Sequence, residues 1–322
     1  MFPPWPLFAA VGNIRIMTAN THGVQVTLEE LINLRYQAQL LDLSSRKKVI
    51  SERMGGHISG FRGRGMDFEE VRAYMPGDDI RSMDWRVTAR TGSPHTKVYH
   101  EERERPVFIV VDLSPTMFFG TRVAFKSVVA SRAAALMSWA AMANGDRVGG
   151  ILFSPEHSIE IPPKSRQFGV LPLLKGMVQL ATPTVAEGHS IGLTETLLRL
   201  RRVVKPGGLV FLFSDFYALD TEAESHLGHL ARKSEIHAFF VSDPIERTPP
   251  PSNQYTFAQG KRRITIDTRL ANVCQRYQQQ FIERQQQLQR LCFQYKIPLF
   301  ELQTHDDVGK KLAGYFAQRR SR

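Results

Sequence analysis

The feature that most limits what this chain can fold into is a run of alternating strand-like and helix-like segments that begins at Pro106 and continues almost to the C-terminus. Residues 107–111 read Val-Phe-Ile-Val-Val, an unbroken β-branched and aromatic stretch. It is too short for a helix and lacks the polar alternation of a half-exposed strand, as expected for a central parallel strand covered on both faces. Further strands are expected at 147–153, 158–161, 209–213, 236–241 and 299–302. Helices are expected at 123–143, 167–180, 193–203, 223–232 and 270–291, followed by a short amphipathic tail helix. The helix at 123–143 is apolar almost all round and should be well buried, with Thr121 placed to cap it. The Gln-rich residues 278–289 lie among Phe281, Ile282, Leu288 and Leu291, so they read as a solvated amphipathic helix. The pattern implies an α/β fold: a doubly wound, mostly parallel sheet with helices on both faces.

The N-terminal third is different. Residues 27–43 carry Leu28, Leu31, Ile32, Leu34, Leu40 and Leu41 at helical spacing. A basic, glycine-rich stretch follows at 46–65, and residues 66–104 are rich in turn signals such as Pro76-Gly77-Asp78-Asp79 and Thr91-Gly92-Ser93-Pro94, which imply small β-hairpins. The expected division is a disordered leader at 1–26, a helical and β-hairpin appendage at 27–103 that docks on the main domain, and that domain at 104–318. The first ten residues are apolar but lack the basic start and the length of a signal peptide, and Met17 is an alternative start. No stretch approaches the roughly 20 apolar residues that span a bilayer.

Cys274 and Cys292 fall in one helical segment, roughly 27 Å apart along a straight axis and beyond disulfide reach. Reduced thiols fit a cytoplasmic location. The chain has 42 Lys+Arg against 31 Asp+Glu, a formal charge of +11, enough to attract nucleic acid, anionic lipid or an acidic protein surface, although solubility and protein contacts account for it more simply.

In open α/β sheets, ligands gather beyond the carboxyl ends of the strands. The first buried strand ends in Asp112-Leu113-Ser114-Pro115-Thr116, and the strand at 209–213 ends in Ser214-Asp215. A carboxylate followed by alternating hydroxyls offers hard oxygens suited to Mg²⁺ or Mn²⁺. Gly188-His189-Ser190 can bring a third hydroxyl to the same edge. The alternative role for Asp112 is to cap backbone N–H groups at a strand-to-helix turn, without any metal.

Asp112, Ser114 and Thr116 resemble the Asp-x-Ser-x-Ser element of the metal-ion-dependent adhesion site of von Willebrand factor A domains, with Thr116 in place of the second Ser. The resemblance implies a doubly wound sheet of that type, and a site completed by Ser190, where the family has Thr, and by Asp215. Residues 64–86 (Arg-Gly-Met-Asp-Phe-Glu-Glu-Val-Arg-Ala-Tyr-Met-Pro-Gly-Asp-Asp-Ile-Arg-Ser-Met-Asp-Trp-Arg), with Ala89-Arg90 and Glu101-Glu102, resemble the signature of domain of unknown function 58. That resemblance covers roughly residues 60–245 and implies an adaptor or chaperone-associated protein working with a MoxR-type AAA+ ATPase. Many members carry N-terminal membrane helices, and this chain resembles the shorter kind.

Asp67, Asp78, Asp79 and Asp84 alternate with Arg72, Arg81, Arg86 and Arg90, as ion pairs that pin the hairpins would. Two other functions compete with this one. A metal-dependent hydrolase would use those four carboxylates, but there is no His-Glu-x-x-His, Gly-x-Ser-x-Gly, Cys–His zinc spacing or Walker-type loop. Nucleic-acid binding would use the basic runs at 62–64, 199–202, 261–263 and 319–322, which are not interleaved with aromatics. The expectation is a non-enzymatic protein–protein interaction protein.

Overall fold

A computed structural model of the protein describes residues 9–10, 23–41, 66–75, 80–101, 104–182, 191–259 and 262–320. In chain order the strands are β1 (Ala9–Ala10), β2 (Met66–Ala73), β3 (His95–Glu101), β4 (Pro106–Asp112), β5 (Arg147–Phe153), β6 (Ser158–Lys164), β7 (Leu209–Ser214), β8 (Glu235–Ser242), β9 (Gln254–Gln259), β10 (Arg262–Asp267) and β11 (Leu299–Gln303). The helices are α1 (Leu28–Asn33), α2 (Arg35–Ala38), α3 (Trp85–Thr91), α4 (Lys126–Ala143), α5 (Gln167–Gln179), α6 (Leu193–Val203), α7 (Thr221–Ala231), α8 (Pro244–Arg247), α9 (Ala271–Gln294) and α10 (Val308–Arg320). They group into two units, residues 1–44 with 105–322, and residues 45–104.

The larger unit is built on a six-stranded sheet of order β11-β8-β7-β4-β5-β6. Every neighbouring pair is parallel except β5 with β6. The exception has a local cause: only residues 154–157 join those strands, and Ser154 N donates to His157 O at 2.8 Å. A parallel return needs a crossover of a dozen or more residues, so so short a link forces a hairpin.

The alternation within β4 shows why helices cover both faces. Val107, Ile109 and Val111 enter one core with α4, α5 and α10, while Phe108 and Val110 enter the other with α6, α7 and α9. Both faces are thus apolar and neither can be left to water. The fold is the α/β, mostly parallel, doubly wound sheet that the pattern implies.

Helix α4 is buried along nearly its whole length, and its alanines let it lie close to the sheet. Its outer side is covered by α1, whose N-cap Thr27 accepts from Glu30 N through Oγ1. Leu31 is fully buried there, and Trp139 Nε1 donates to Leu31 O at 2.9 Å. Residues 28–38 therefore cluster with the sheet, whereas chain order had grouped them with the hairpins. Trp139→Phe keeps the ring's bulk but leaves a buried carbonyl without its donor, so urea unfolding should show a loss of about 1–2 kcal/mol.

A second, antiparallel sheet of order β1-β9-β10 belongs to the same unit, and the sequence reading assigned no strands there. Both cysteines are free thiols on α9, and burial pushes the Cys292 thiol up to about 12.

The smaller unit is an antiparallel hairpin of β2 and β3 with a bulge between Phe68 and Glu70, together with α3. Asp84 caps α3, its Oδ1 accepting from the backbone N–H groups of Arg86 and Val87, and Gly92 closes the helix at φ 74°. That left-handed conformation suits glycine.

Candidate functional site

Three neighbouring parallel strands end alike. Asp112 is the last residue of β4, Asp215 follows β7, and Asp243 follows β8. With the order β8-β7-β4, and strands about 4.8 Å apart, the three carboxylates line one edge of the sheet. All three are buried.

Asp112 accepts from Ser114 N through Oδ1 at 2.9 Å and from Ser214 Oγ through Oδ2 at 2.6 Å. Ser114 Oγ and Thr116 Oγ1 are 3.1 Å apart, so the loop after β4 gathers its hydroxyls beside the carboxylate. Among the described residues no cation pairs with Asp112. Its carboxyl is raised from 3.8 to about 6, first by burial and then by the charge of Asp215, against the hydrogen bonds from Ser214 and Ser114.

Asp215 has the opposite fate. Lys126 Nζ lies 2.7 Å from Asp215 Oδ2 and 2.7 Å from Glu246 Oε1, and all three side chains are buried. Burial alone would raise the Asp215 carboxyl, but the charges of Lys126 and Arg284 outweigh it and hold the group below its usual range. Likewise burial works against the Lys126 charge, yet Asp215 and Glu246 outweigh it and hold the ammonium above its usual range. Asp215 Oδ1 is used as well, accepting from Tyr217 N at 3.0 Å. Arg284 lies over the Tyr217 ring, 5.2 Å from its centroid.

Asp243 fastens the loop that carries the hydroxyls. Its carboxylate accepts from Thr121 N at 2.9 Å, Thr121 Oγ1 at 2.7 Å, Ile245 N at 3.0 Å and Thr304 Oγ1. The loop after β4 is thereby tied to the ends of β8 and β11. This corrects the expected role of Thr121: α4 starts at Lys126 with Phe125 as N-cap and no side-chain capping bond, while Thr121 is turned to Asp243.

The structure thus places Asp112, Ser114, Thr116 and Asp215 on one edge, as their spacing implies. Ser190 lies outside the described residues, as do Asp78, Asp79 and the side chain of Asp67. Lys126, Asp243 and Glu246 were not anticipated. Two signals existed: Ser242-Asp243 repeats Ser214-Asp215 at the end of the next strand, and Lys126 is a charge at the head of a mostly apolar helix.

On the Asp112 side the carboxylate, engaged by Ser114 N and Ser214 Oγ, also lies beside the Ser114 hydroxyl, and that hydroxyl is 3.1 Å from the Thr116 hydroxyl; these are the hard oxygen types that a divalent cation takes. The Asp215 oxygens are already engaged by Lys126 and Tyr217. Among the described residues no three His, Cys, Asp or Glu side chains stand together in a way that could hold a metal ion.

The chain is 30% identical over 204 residues to "Uncharacterized protein Rv1480" of Mycobacterium tuberculosis (strain ATCC 25618 / H37Rv) and to "Uncharacterized protein Mb1516" of Mycobacterium bovis (strain ATCC BAA-935 / AF2122/97). The matched stretch is 63% of this chain and 63% of each of those relatives. Among solved structures, the conserved hypothetical protein BatB from Bacteroides thetaiotaomicron is similar at 14% identity with a TM-score of 0.40, covering 68% of this chain and 100% of that one. Residues 70–287 match the family described as protein of unknown function DUF58, and since this is more than half of the chain, the protein belongs to that family.

Proposed function

We propose that the protein is a non-enzymatic adaptor that binds a protein partner at the carboxyl edge of its sheet through Mg²⁺ or Mn²⁺. The cation is held by Asp112, Ser114 and Thr116, with Ser190 as the further hydroxyl that the likeness to the adhesion site assigns. The observation that carries this reading is the state of Asp112: a buried carboxylate bonded to the hydroxyls of Ser214 and Ser114, with no protein cation paired to it among the described residues. A divalent ion supplies the missing positive charge and an open position for an acidic side chain of the partner. Asp215, already paired with Lys126, contributes charge to this site more than a direct bond. Asp243 and Thr121 keep the hydroxyl loop in place.

The partner proposed is a MoxR-type AAA+ ATPase, acting with this protein in the assembly or maturation of other proteins in the cytoplasm. Its support is the family resemblance of residues 64–86. The test is capture of the protein on an immobilised MoxR-type ATPase from the same organism, with Mg²⁺ or with EDTA. Capture should weaken about tenfold or more in EDTA and in Asp112→Ala, the scale expected when one partner of a buried charged contact is removed. Capture indifferent to both would retire the metal-dependent reading, and no capture at all would retire the ATPase.

A further inference from the structure

The opposite edge of the sheet has a different character. Because β4, β5, β7, β8 and β11 are parallel, all five enter the sheet along one edge, and β6, being antiparallel, leaves it there. Each crossing point carries a cation. Arg147 opens β5, Arg105 precedes β4, and Lys205 precedes the turn into β7. Arg232 and Lys233 precede β8, and Lys296 precedes β11. At the far side Lys164 ends β6, in register with Val148, and Arg166 follows it.

These residues are contiguous. Arg147 N donates to Arg105 O at 3.0 Å, Arg105 Nε donates to Gly207 O at 2.9 Å, and Gly207 N donates to Lys233 O at 2.9 Å. All but Arg105 are exposed. Six strands at about 4.8 Å spacing make a row roughly 24 Å long. Of the acids of this unit near the row, Asp146 is buried and Glu235 is paired with Arg105. Helices α4, α6, α7 and α9 also end here. Each helix end is equivalent to about half a negative charge, so together they offset only about two of the cations.

Both ends of the row carry an exposed aromatic. Phe168, just after Arg166, is 66% exposed, and Phe293, at the end of α9 near Lys296, is 88% exposed. We infer that this amino edge is a docking surface for an anionic lipid bilayer, with the cations meeting the headgroups and the two phenylalanines inserting at their level. Lipid headgroups move laterally and so match cations spaced by strands. Phenylalanines at both ends of such a row suit an interfacial surface. The inference is independent of the cation site, which lies at the other edge.

The test is co-sedimentation of the whole protein with vesicles of phosphatidylcholine alone or mixed equally with phosphatidylglycerol, at about 0.1 M and about 0.5 M salt. Binding is expected to the mixed vesicles only, and to fall steeply with salt. The triple variant Lys205→Glu, Arg232→Glu, Lys233→Glu should bind at least about tenfold more weakly. Phe168→Ser with Phe293→Ser should weaken binding several-fold without changing its dependence on salt. All five substitutions are at exposed positions, and circular dichroism is the check that each variant is folded. Equal binding to neutral vesicles, unchanged binding by the charge-reversed variant, or binding to a DNA duplex with none to either vesicle would each overturn the inference.

Discussion

Lys126→Met should lower the unfolding free energy by about 3–5 kcal/mol, the range found when one partner of a buried ion pair is removed. The Lys126 ammonium is fully buried and lies 2.7 Å from both Asp215 and Glu246. Met fills the volume, so the loss comes from charge: two buried carboxylates keep each other's company with no cation between them. The companion variant carrying Lys126→Met, Asp215→Asn and Glu246→Gln should recover most of that loss, since replacing a whole buried charged group by neutral residues is often close to neutral. Urea unfolding at neutral pH, followed by circular dichroism, checks both. A single variant within about 1 kcal/mol of the wild type would show that Lys126 does not hold this edge together.

The second expected result has the opposite sign. Asp112→Asn should stabilise the metal-free protein at pH 7.5 by about 1–3 kcal/mol, taking roughly 1.4 kcal/mol per pH unit as the conversion. The Asp112 carboxyl is raised from 3.8 to about 6 in the folded protein, because it is buried and lies near the Asp215 charge. The folded state therefore holds this proton more tightly than the unfolded chain does. The resulting stability is fully present below about pH 4, declines as pH rises towards about 6, and is absent above it. Asn keeps an oxygen for Ser114 N and carries no charge, so the variant loses this decline. Chemical unfolding of both proteins between pH 4 and pH 8 with a chelator present measures the difference. An Asp112→Asn protein less stable than the wild type at pH 7.5 would contradict the account of Asp112 as an uncompensated charge. If Asp112 is kept at a cost in stability, Mg²⁺ should raise the melting temperature of the wild type and leave the variant unmoved.

The parts of the fold that sequence made legible are those with a period. The run at 107–111 is apolar at every position because both faces of β4 are covered, and α6 falls at Leu193–Val203 as its spacing implies. The β9–β10 hairpin was missed: Gln254–Gln259 and Arg262–Asp267 are short and polar-rich, so no apolar run announces them. The same split holds at the site. Asp112, Ser114, Thr116 and Asp215 were visible because they follow apolar strands, where chemistry sits in open α/β sheets. The clasp of Thr121 to Asp243 and the bridge from Lys126 to Glu246 join residues about 120 positions apart in the chain. No local pattern encodes such pairs, although a lysine fully buried at the head of a mostly apolar helix demands a partner.

Everything proposed for this edge turns on a divalent-cation site at Asp112, Ser114 and Thr116. Its most direct test is calorimetric titration of Mg²⁺ and Mn²⁺ into chelator-stripped wild type and into Asp112→Ala, with folding checked by circular dichroism. Saturable binding at one site is expected in the wild type, and its loss in the variant. No saturable heat in a folded wild type, or equal binding by the variant, would contradict it.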